Sequence, residues 1–219
     1  TFTSNLKGGY GVGPATGINC GDIASTWNGS AWSNGVPSKV TAVTFTGNYN
    51  SSSNIDACSV TVNTGVNVTI NSGHTLNVNG AVAVNGTGVL TVENNAGLRQ
   101  IDDSAVNSGN IIVKRTATPT IRLDYTAWSS PVTGQQLQAF SPNTVSTRFY
   151  QYLYTGTTTP TAYQSVTATT NFLAGKGYMI RAADNASSTV ASAYNGQFTG
   201  VPNNGIINQN MGQGFNLLG

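Results

Sequence analysis

Residues 59–94 read SVTVNTGVNVTINSGHTLNVNGAVAVNGTGVLTVEN, the most regular pattern in the chain. Apolar and small polar residues alternate along it with a period of two, which predicts strands with one buried face. Turn-forming pairs such as Asn-Gly and Thr-Gly interrupt the alternation, so the strands are short, about four to six residues each. The residues predicted to point inward are Val60, Val62, Val66, Val68, Ile70, Leu76, Val78, Val82, Val84, Leu90 and Val92.

Two architectures fit this alternation. One is a sandwich of β-hairpins, and the other is a parallel β-solenoid in which short strands coil and asparagines stack at the turns. The inward residues are uniformly medium-sized aliphatics and the turns are rich in Asn and Gly. These features favour a solenoid-like ladder over residues 39–116.

The flanking regions differ from the ladder in composition. Residues 1–38 are rich in glycine and predict a loop-rich lead-in, in which Trp27 and Trp32 could cap one end of a β core. Aromatic residues become denser over residues 117–219, which predict a β-sandwich-like unit that is cut short at its C-terminal end. The expected fold class is therefore all-β, with a β-solenoid-like or stacked-strand ladder followed by an aromatic-rich β-sandwich.

Composition narrows the function classes. Charged residues are 7% of the chain, whereas about 25% is typical of soluble domains. Lys114 and Arg115 are the only adjacent basic residues, so a surface that tracks phosphates, and with it a nucleic-acid partner, is not expected. No apolar run approaches the roughly 20 residues of a spanning helix, so membrane insertion is not expected either.

The chain has two cysteines, Cys20 and Cys58. An even count in a secreted chain suggests a disulfide, which would pin the N-terminal segment onto the first strands. Such a bridge is expected to stabilise the fold by about 3 to 4 kcal/mol. The cysteines therefore point to an extracellular location.

Catalytic patterns are missing from the sequence. The one histidine, His74, lies in a turn of the ladder, and no G-x-S-x-G elbow occurs. Ser129 and Ser130 precede Pro131 and are interpreted as a structural corner whose hydroxyls bond the local backbone. One histidine and two bridged cysteines exclude a zinc cluster. We therefore expect no catalytic residues, no metal and no cofactor.

The acidic residues support the same conclusion. Asp124, close to two aromatic residues, could serve a sugar site, but a salt bridge to Arg122, Arg115 or Lys114 is favoured. A polysaccharide-degrading β-helix enzyme would need charged residues clustered along one face of the ladder. The candidates for such a face are Glu93, Arg99, Asp102 and Lys114, and they are sparse.

Exposed aromatics are the remaining candidates for binding, because their flat faces stack on sugar rings. On the predicted strand around residues 148–154, tyrosines alternate with other residues and share one face. If that face is exposed, a ligand or partner surface follows. The predicted ligand platform consists of Tyr125, Trp128, Tyr150, Tyr152 and Tyr154.

Several segments in order resemble a known group of proteins. They are TWNGSAWSNGVPS (26–38), GVLTVENNAGL (88–98), NSGNIIVKR (107–115), LDYTAWSSPVTGQQL (123–137), FSPNT (140–144), GKGYMIRA (175–182), FTGVPNNG (198–205) and GFNLLG (214–219). Together they resemble surface and secreted proteins of Bacteroidota that are exported by the type IX secretion system. The sequence lacks the C-terminal sorting domain of that family, so it is interpreted as a processed or trimmed piece.

The resemblance implies a location at the bacterial cell surface or outside the cell. It also implies possible O-glycosylation at Ser104, since Asp103-Ser104-Ala105 matches the modified tripeptide of this bacterial group. The implication concerns location and modification more than activity, because fold does not fix function.

The expected function is a non-enzymatic extracellular structural or adhesive surface module. Its partners would be other copies of itself or other surface proteins, through strand addition by the segment containing Phe215, Leu217 and Leu218. The alternative is a carbohydrate-binding module of a secreted protein that acts on polysaccharides, with polysaccharide as the partner.

Overall fold

The computed structural model describes residues 19–153, 163–211 and 216–219. The first part of the chain is a β-solenoid-like stack. Its strands are β1 (Ile23–Trp27), β2 (Thr41–Phe45), β3 (Tyr49–Asn50), β4 (Ile55–Ala57), β5 (Ser59–Val62), β6 (Asn67–Ile70), β7 (Thr75–Val78), β8 (Val82–Val84), β9 (Val89–Val92), β10 (Gly97–Gln100) and β11 (Ile111–Thr116).

These strands form three parallel sheets around one core. The first sheet has the order β1-β2-β5-β8, the second contains β3-β6-β9-β11 and the third is β4-β7-β10. Each coil contributes one strand to each sheet, so Val60 lies beside Val82 and Leu76 lies beside Leu98. Parallel pairing decides between the two architectures in favour of the solenoid, because hairpins would pair antiparallel.

The core confirms the predicted alternation. Every aliphatic residue that the pattern places inward is buried, with Val62, Ile70 and Leu90 at 0% exposure. Burying a side chain of this size stabilises the fold by about 1.5–3 kcal/mol. The solenoid is therefore held together by stacked aliphatic side chains.

Asparagines at the turns join successive coils. Some backbone N–H groups at the ends of strands bond to side chains instead of to a neighbouring strand, because each N–H needs an acceptor. An asparagine side chain of the coil below supplies the acceptor. The pairs are Asn48 Oδ1 with the N–H of Asn67, Asn54 Oδ1 with that of Thr75, and Asn94 Oδ1 with that of Thr116, each at 2.9 Å.

The N-terminal end is more regular than a loop-rich lead-in. β1 pairs in parallel with β2 in full register, so residues 23–27 already belong to the first sheet. The predicted disulfide between Cys20 and Cys58 is present, with a Cα–Cα distance of 5.3 Å. The rings of Trp27 and Trp32 have centroids 5.3 Å apart, and both side chains pack against the core.

The second part of the chain adds a β-sandwich-like unit. Its elements are β12 (Tyr125–Trp128), β13 (Val132–Thr133), α1 (Leu137–Phe140), β14 (Phe149–Tyr152), β15 (Tyr163–Ser165), β16 (Tyr178–Arg181) and β17 (Asn195–Pro202). One sheet is antiparallel, with the order β12-β16-β14-β15. The other is formed by β13 and β17, and β17 pairs antiparallel with β11. The second sheet of the solenoid thus continues directly into the sandwich, while the division of the chain at residue 116 stays a prediction.

An aromatic cluster fills the space between these two sheets. Phe198 of β17 stacks on Phe140 with ring centroids 4.3 Å apart, and Trp128 of β12 meets Phe140 edge-on at 4.9 Å. Phe172 and Tyr178, both buried, complete the contact at 5.3 Å. Aromatic side chains bury large areas, so this cluster dominates the packing of the unit.

The C-terminal segment is paired within its own chain. The Gly177 N–H donates to the Leu217 carbonyl at 3.1 Å, and Leu218 forms a bridge with Lys176. Leu217 and Leu218 are therefore engaged, and strand addition to a neighbouring subunit would first require them to detach. Phe215, the third residue of the predicted strand-addition segment, lies outside the described residues.

Candidate binding surface

The antiparallel sheet β12-β16-β14-β15 has one buried face and one open face. Side chains alternate across a strand, and Phe149, Tyr178 and Ile180 are buried on the inner side. Their neighbours Tyr150 and Met179 therefore point away from the core, and both are only half-buried. The open face is thus the one that carries the tyrosines.

Four tyrosines from three strands meet on this open face. We call Tyr125, Tyr150, Tyr152 and Tyr163 the tyrosine face. Strand pairing places Tyr152 directly opposite Tyr163, and it places Tyr150 opposite Met179. Tyr125 and Tyr163 are the most open, with 37% and 54% of their surface exposed.

The rings of the tyrosine face are tilted and do not form a flat row. Tyr125 and Tyr150 have centroids 5.7 Å apart with planes at 68°, and Tyr152 and Tyr163 are 5.5 Å apart at 74°. Between them lies a hollow of about 290 Å³ whose lining includes Met179. The hollow is lined almost wholly by apolar atoms, so it offers aromatic rings and the Met179 side chain to a ligand that lies across the sheet.

Two arginines set the electrostatics of the face. Arg148 Nη1 donates to the Tyr150 hydroxyl at 3.1 Å, and this hydrogen bond lowers the pKa of Tyr150 below its ordinary value. Desolvation, followed by hydrogen bonding to Tyr150, raises the pKa of Tyr125. Arg181 pairs with Asp184 at 2.8 Å. The surroundings of the two neighbouring phenols therefore shift their pKa values in opposite directions, upward for Tyr125 and downward for Tyr150.

Replacing Arg148 with glutamine should raise the pKa of Tyr150. The guanidinium favours the phenolate by donating to it, whereas a neutral amide loses the charge. The check is an NMR titration of tyrosines labelled at Cζ, with the exposed Arg122→Gln variant as the control. A Tyr150 resonance that titrates identically in all three proteins would contradict the assigned contact.

Comparison with models of known protein families identifies the family of this chain. A model described as a domain of unknown function (DUF8693) matches residues 18–217. The chain belongs to this family. No curated protein and no solved structure matches this chain significantly. The DUF8693 match covers both the solenoid and the aromatic-rich unit. Because the description of the family states no function, the function has to be argued from the surface of the domain.

Trp128 of this DUF8693 chain is not part of the tyrosine face. It lies on the inner side of β12, with its ring 4.9 Å from Phe140 and 6.0 Å from Phe198. The predicted platform is corrected at this position, because Tyr125 and Trp128 are an odd number of residues apart and so point to opposite faces of a strand. Tyr154, also predicted for the platform, lies outside the described residues.

Tyr163 is the member of the face that the sequence did not predict. Its strand, β15, reads only YQS and is exposed along its whole length. A short polar strand gives no alternation to follow. Tyr163 joins the face because β15 pairs with β14, and this pairing is set by the fold and not by the local sequence.

Ser130 and Ser51 of the DUF8693 chain make contacts that support the fold. The Ser130 hydroxyl donates to the Val132 carbonyl at 2.7 Å and is buried, which confirms the predicted corner. A serine and the histidine do meet elsewhere, since Ser51 Oγ lies 2.8 Å from His74 Nδ1. Ser51 is only 2% exposed and its hydroxyl also accepts the Asn71 N–H at 2.8 Å. This pair links two turns of the solenoid, and the serine hydroxyl is buried there.

The carboxylates are engaged locally. Asp124 accepts the Ile121 N–H at 2.9 Å. The predicted salt bridge is wrong, because the ion pairs of the described residues join Lys114 to Glu93 and Arg181 to Asp184 and leave Asp124 out. Within the described ranges, no group of three or more His, Cys, Asp or Glu side chains could hold a metal ion. The same part of the chain contains no helix long and apolar enough to cross a membrane.

The predicted glycosylation residue lies on an exposed loop. The Ser104 hydroxyl donates to Asp102 Oδ1 at 2.6 Å, and the Ser104 N–H donates to the same oxygen at 2.9 Å. These two bonds lower the pKa of Asp102. The residue is accessible to solvent, and its modification stays a prediction.

Proposed function

We propose that this DUF8693 domain is a non-enzymatic extracellular adhesive module that binds through its tyrosine face. The observation that carries the proposal is the open side of the sheet β12-β16-β14-β15, where Tyr125 and Tyr163 are exposed beside a hollow of about 290 Å³. Large exposed aromatics on one sheet face are unusual on a surface with no partner and mark interaction sites.

Carbohydrate is the ligand class that suits this face best. Sugar rings carry apolar C–H faces and a rim of hydroxyls, so they pack on aromatic rings and bond to polar groups at the edge. Around the rings lie phenol hydroxyls and the Arg148 guanidinium, which donates to the Tyr150 hydroxyl at 3.1 Å. The low charge of the chain, 7% of residues, favours a neutral partner.

Several features support a role without catalysis. Hydrolysis of a glycoside needs two carboxylates across a cleft. The lining of the hollow consists of Tyr125, Tyr150, Tyr163 and Met179 and includes no acid. Among the acids of the ladder, Glu93 pairs with Lys114, and Asp102 accepts a hydrogen bond from Ser104.

An extracellular site of action completes the proposal. The disulfide between Cys20 and Cys58 is compatible with an oxidising compartment. The resemblance to type IX-exported proteins would place the domain on a bacterial surface. A rigid stack of coils would then hold the tyrosine face away from that surface.

Retention in gels that contain polysaccharide tests the proposal. Native electrophoresis through xylan or mixed-linkage glucan should retard the wild-type chain in at least one gel. The double variant Tyr125→Ala/Tyr163→Ala should bind roughly tenfold more weakly, because two ring contacts are lost.

The matched control is Ile206→Ala, which removes another exposed apolar side chain, 78% accessible, that is not part of the lining of the hollow. This variant should migrate like the wild-type chain. Retention that survives the double tyrosine substitution would show that the site is elsewhere. The Trp128→Ala variant would not serve, since it disrupts the aromatic core.

A further inference from the structure

The third sheet of the solenoid ends one strand early. It contains β4, β7 and β10, whereas β11 returns to the second sheet and pairs with β9 and β17. Among the described residues, no strand pairs with the outer edge of β10. An open strand edge is a template for adding another strand.

The backbone of β10 presents bonding groups along this edge. The Gly97 N–H donates to the His74 carbonyl at 3.0 Å, and the Ile101 N–H donates to the Val78 carbonyl at 3.1 Å. In a parallel strand, alternate residues direct their N–H and C=O groups to opposite sides. The backbone groups of Leu98 and Gln100 therefore face away from β7, toward the vacant side.

A cleft of about 400 Å³ occupies the position of the missing strand. Leu98 and Val113 contribute apolar side chains to its lining, and the loop from Pro202 to Gly205 forms a wall. A four-residue strand is roughly 13 Å long, and its inward side chains would fill such a space. The shape is that of a slot for one extended segment.

Two arginines give the slot a positive character. Arg115 donates to the carbonyls of Lys114, Ala96 and Glu93 at 2.7, 3.1 and 3.2 Å. Within the described part of the chain, neither Arg115 nor Arg99 has a carboxylate partner. Asp103 is the one acid in the lining. The slot therefore carries one more positive than negative side chain.

The register of the third sheet indicates which side chains the slot would accept. Three cross-coil columns run up the sheet: Ile55–Leu76–Leu98, Asp56–Asn77–Arg99 and Ala57–Val78–Gln100. Side chains in the middle column bond between coils, since Asn77 Nδ2 donates to Asp56 Oδ1 at 2.9 Å. The next residue in that column would lie against Arg99, so an acid fits there and apolar residues fit on either side.

We propose that the open edge of β10 accepts an extended segment of a partner protein with the pattern apolar–acidic–apolar, which adds as the fourth strand of the third sheet. Main-chain bonds to Leu98 and Gln100 hold the segment, and its carboxylate pairs with Arg99. This site is separate from the tyrosine face, and it does not depend on the function proposed for that face.

A peptide suits this site better than a sugar does. A strand edge offers donors and acceptors in a fixed repeat that another backbone matches and that the hydroxyls of a sugar do not. A suitable probe is the peptide SNIDASS, which is residues 53–59 with Cys58→Ser, because Ile-Asp-Ala is the strand that starts the same sheet. Matched control peptides carry Asp56→Asn or Asp56→Lys.

Amide NMR titration of the full chain with these peptides tests the proposal. We expect SNIDASS to shift the Leu98 and Gln100 amide signals and to protect both amides from exchange. It should bind about fivefold more tightly than the lysine peptide, the factor that one exposed ion pair provides. Arg99→Glu should invert this preference, and Arg122→Glu, another exposed arginine, should leave it unchanged.

Three results would overturn the proposal. One is the absence of shifts at Leu98 and Gln100 at the highest soluble peptide concentration. Another is equal affinity for the aspartate and lysine peptides. The third is an effect of Tyr163→Ala on peptide binding, which would move the contact to the tyrosine face. Conversely, Arg99→Glu should not alter polysaccharide retention, so the two proposals can fail separately.

Discussion

Replacing Phe198 with alanine should lower the free energy of unfolding by about 3–5 kcal/mol, the range for removing a large aromatic from a packed core. Phe198 has 0% exposure and lies between the two sheets of the second unit. Its ring stacks on Phe140 at 4.3 Å and meets Phe172 edge-on at 5.5 Å. Urea denaturation followed by tryptophan fluorescence measures the change.

The control for this experiment is Gln197→Ala. Gln197 precedes Phe198 on β17 but points to solvent, so its loss should change the stability by less than about 0.5 kcal/mol. Because β17 also pairs with β11 of the solenoid, the Phe198 variant should affect both parts of the chain. A Phe198→Ala protein as stable as the control would contradict the assigned core.

Removing the disulfide should cost about 3–4 kcal/mol in the chain-entropy treatment of a closed loop. Cys20 and Cys58 are 38 residues apart in sequence, and the bridge holds the start of the described chain against the strand junction between β4 and β5. The test variant is Cys20→Ser/Cys58→Ala, since Cys58 is fully buried and alanine suits an apolar site. Thermal or urea unfolding gives the difference.

The wild-type chain in reductant provides the matched comparison. Reduction should bring its stability close to that of the double variant, and reductant should leave the double variant unchanged. Identical stability of the oxidised chain and the double variant would mean that the bridge does not constrain the unfolded chain.

Local sequence was sufficient to predict the core of the solenoid. Residues such as Val68, Ile70 and Leu76 are buried because a strand alternates its faces, and that alternation is visible within a few positions. The turns were visible too, since Gly65 and Gly73 adopt positive φ at 76° and 83°. Neither feature depends on distant parts of the chain.

The pairing of distant strands was not visible. β1 joins the first sheet although its segment reads as loop, and β17 returns from the end of the chain to pair with β11. The unequal number of strands in the three sheets follows from where the chain leaves the solenoid, after β11 has joined the second sheet. The pairing of strands that are far apart in sequence is set by tertiary packing, so the slot at β10 could be found only in the structure.

The binding surface was predicted in part. Tyr150 and Tyr152 lie on the open face because Phe149 takes the buried side, which was one of two outcomes that the sequence left open. Proximity in sequence places Trp128 with Tyr125, but the two residues are three positions apart and therefore point to opposite faces of β12. Tyr163 is brought in by pairing with Tyr152, which no local pattern encodes.

The most direct test of the central claim, adhesion through the tyrosine face, is the retention of protein-coated beads on a polysaccharide film under flow. Beads that carry the wild-type chain should stay on the film that retards the chain in gels, and beads that carry Tyr125→Ala/Tyr163→Ala should detach. Beads with Ile206→Ala should behave like the wild type. Equal retention of all three bead types, or loss of all three from every film, would contradict the account.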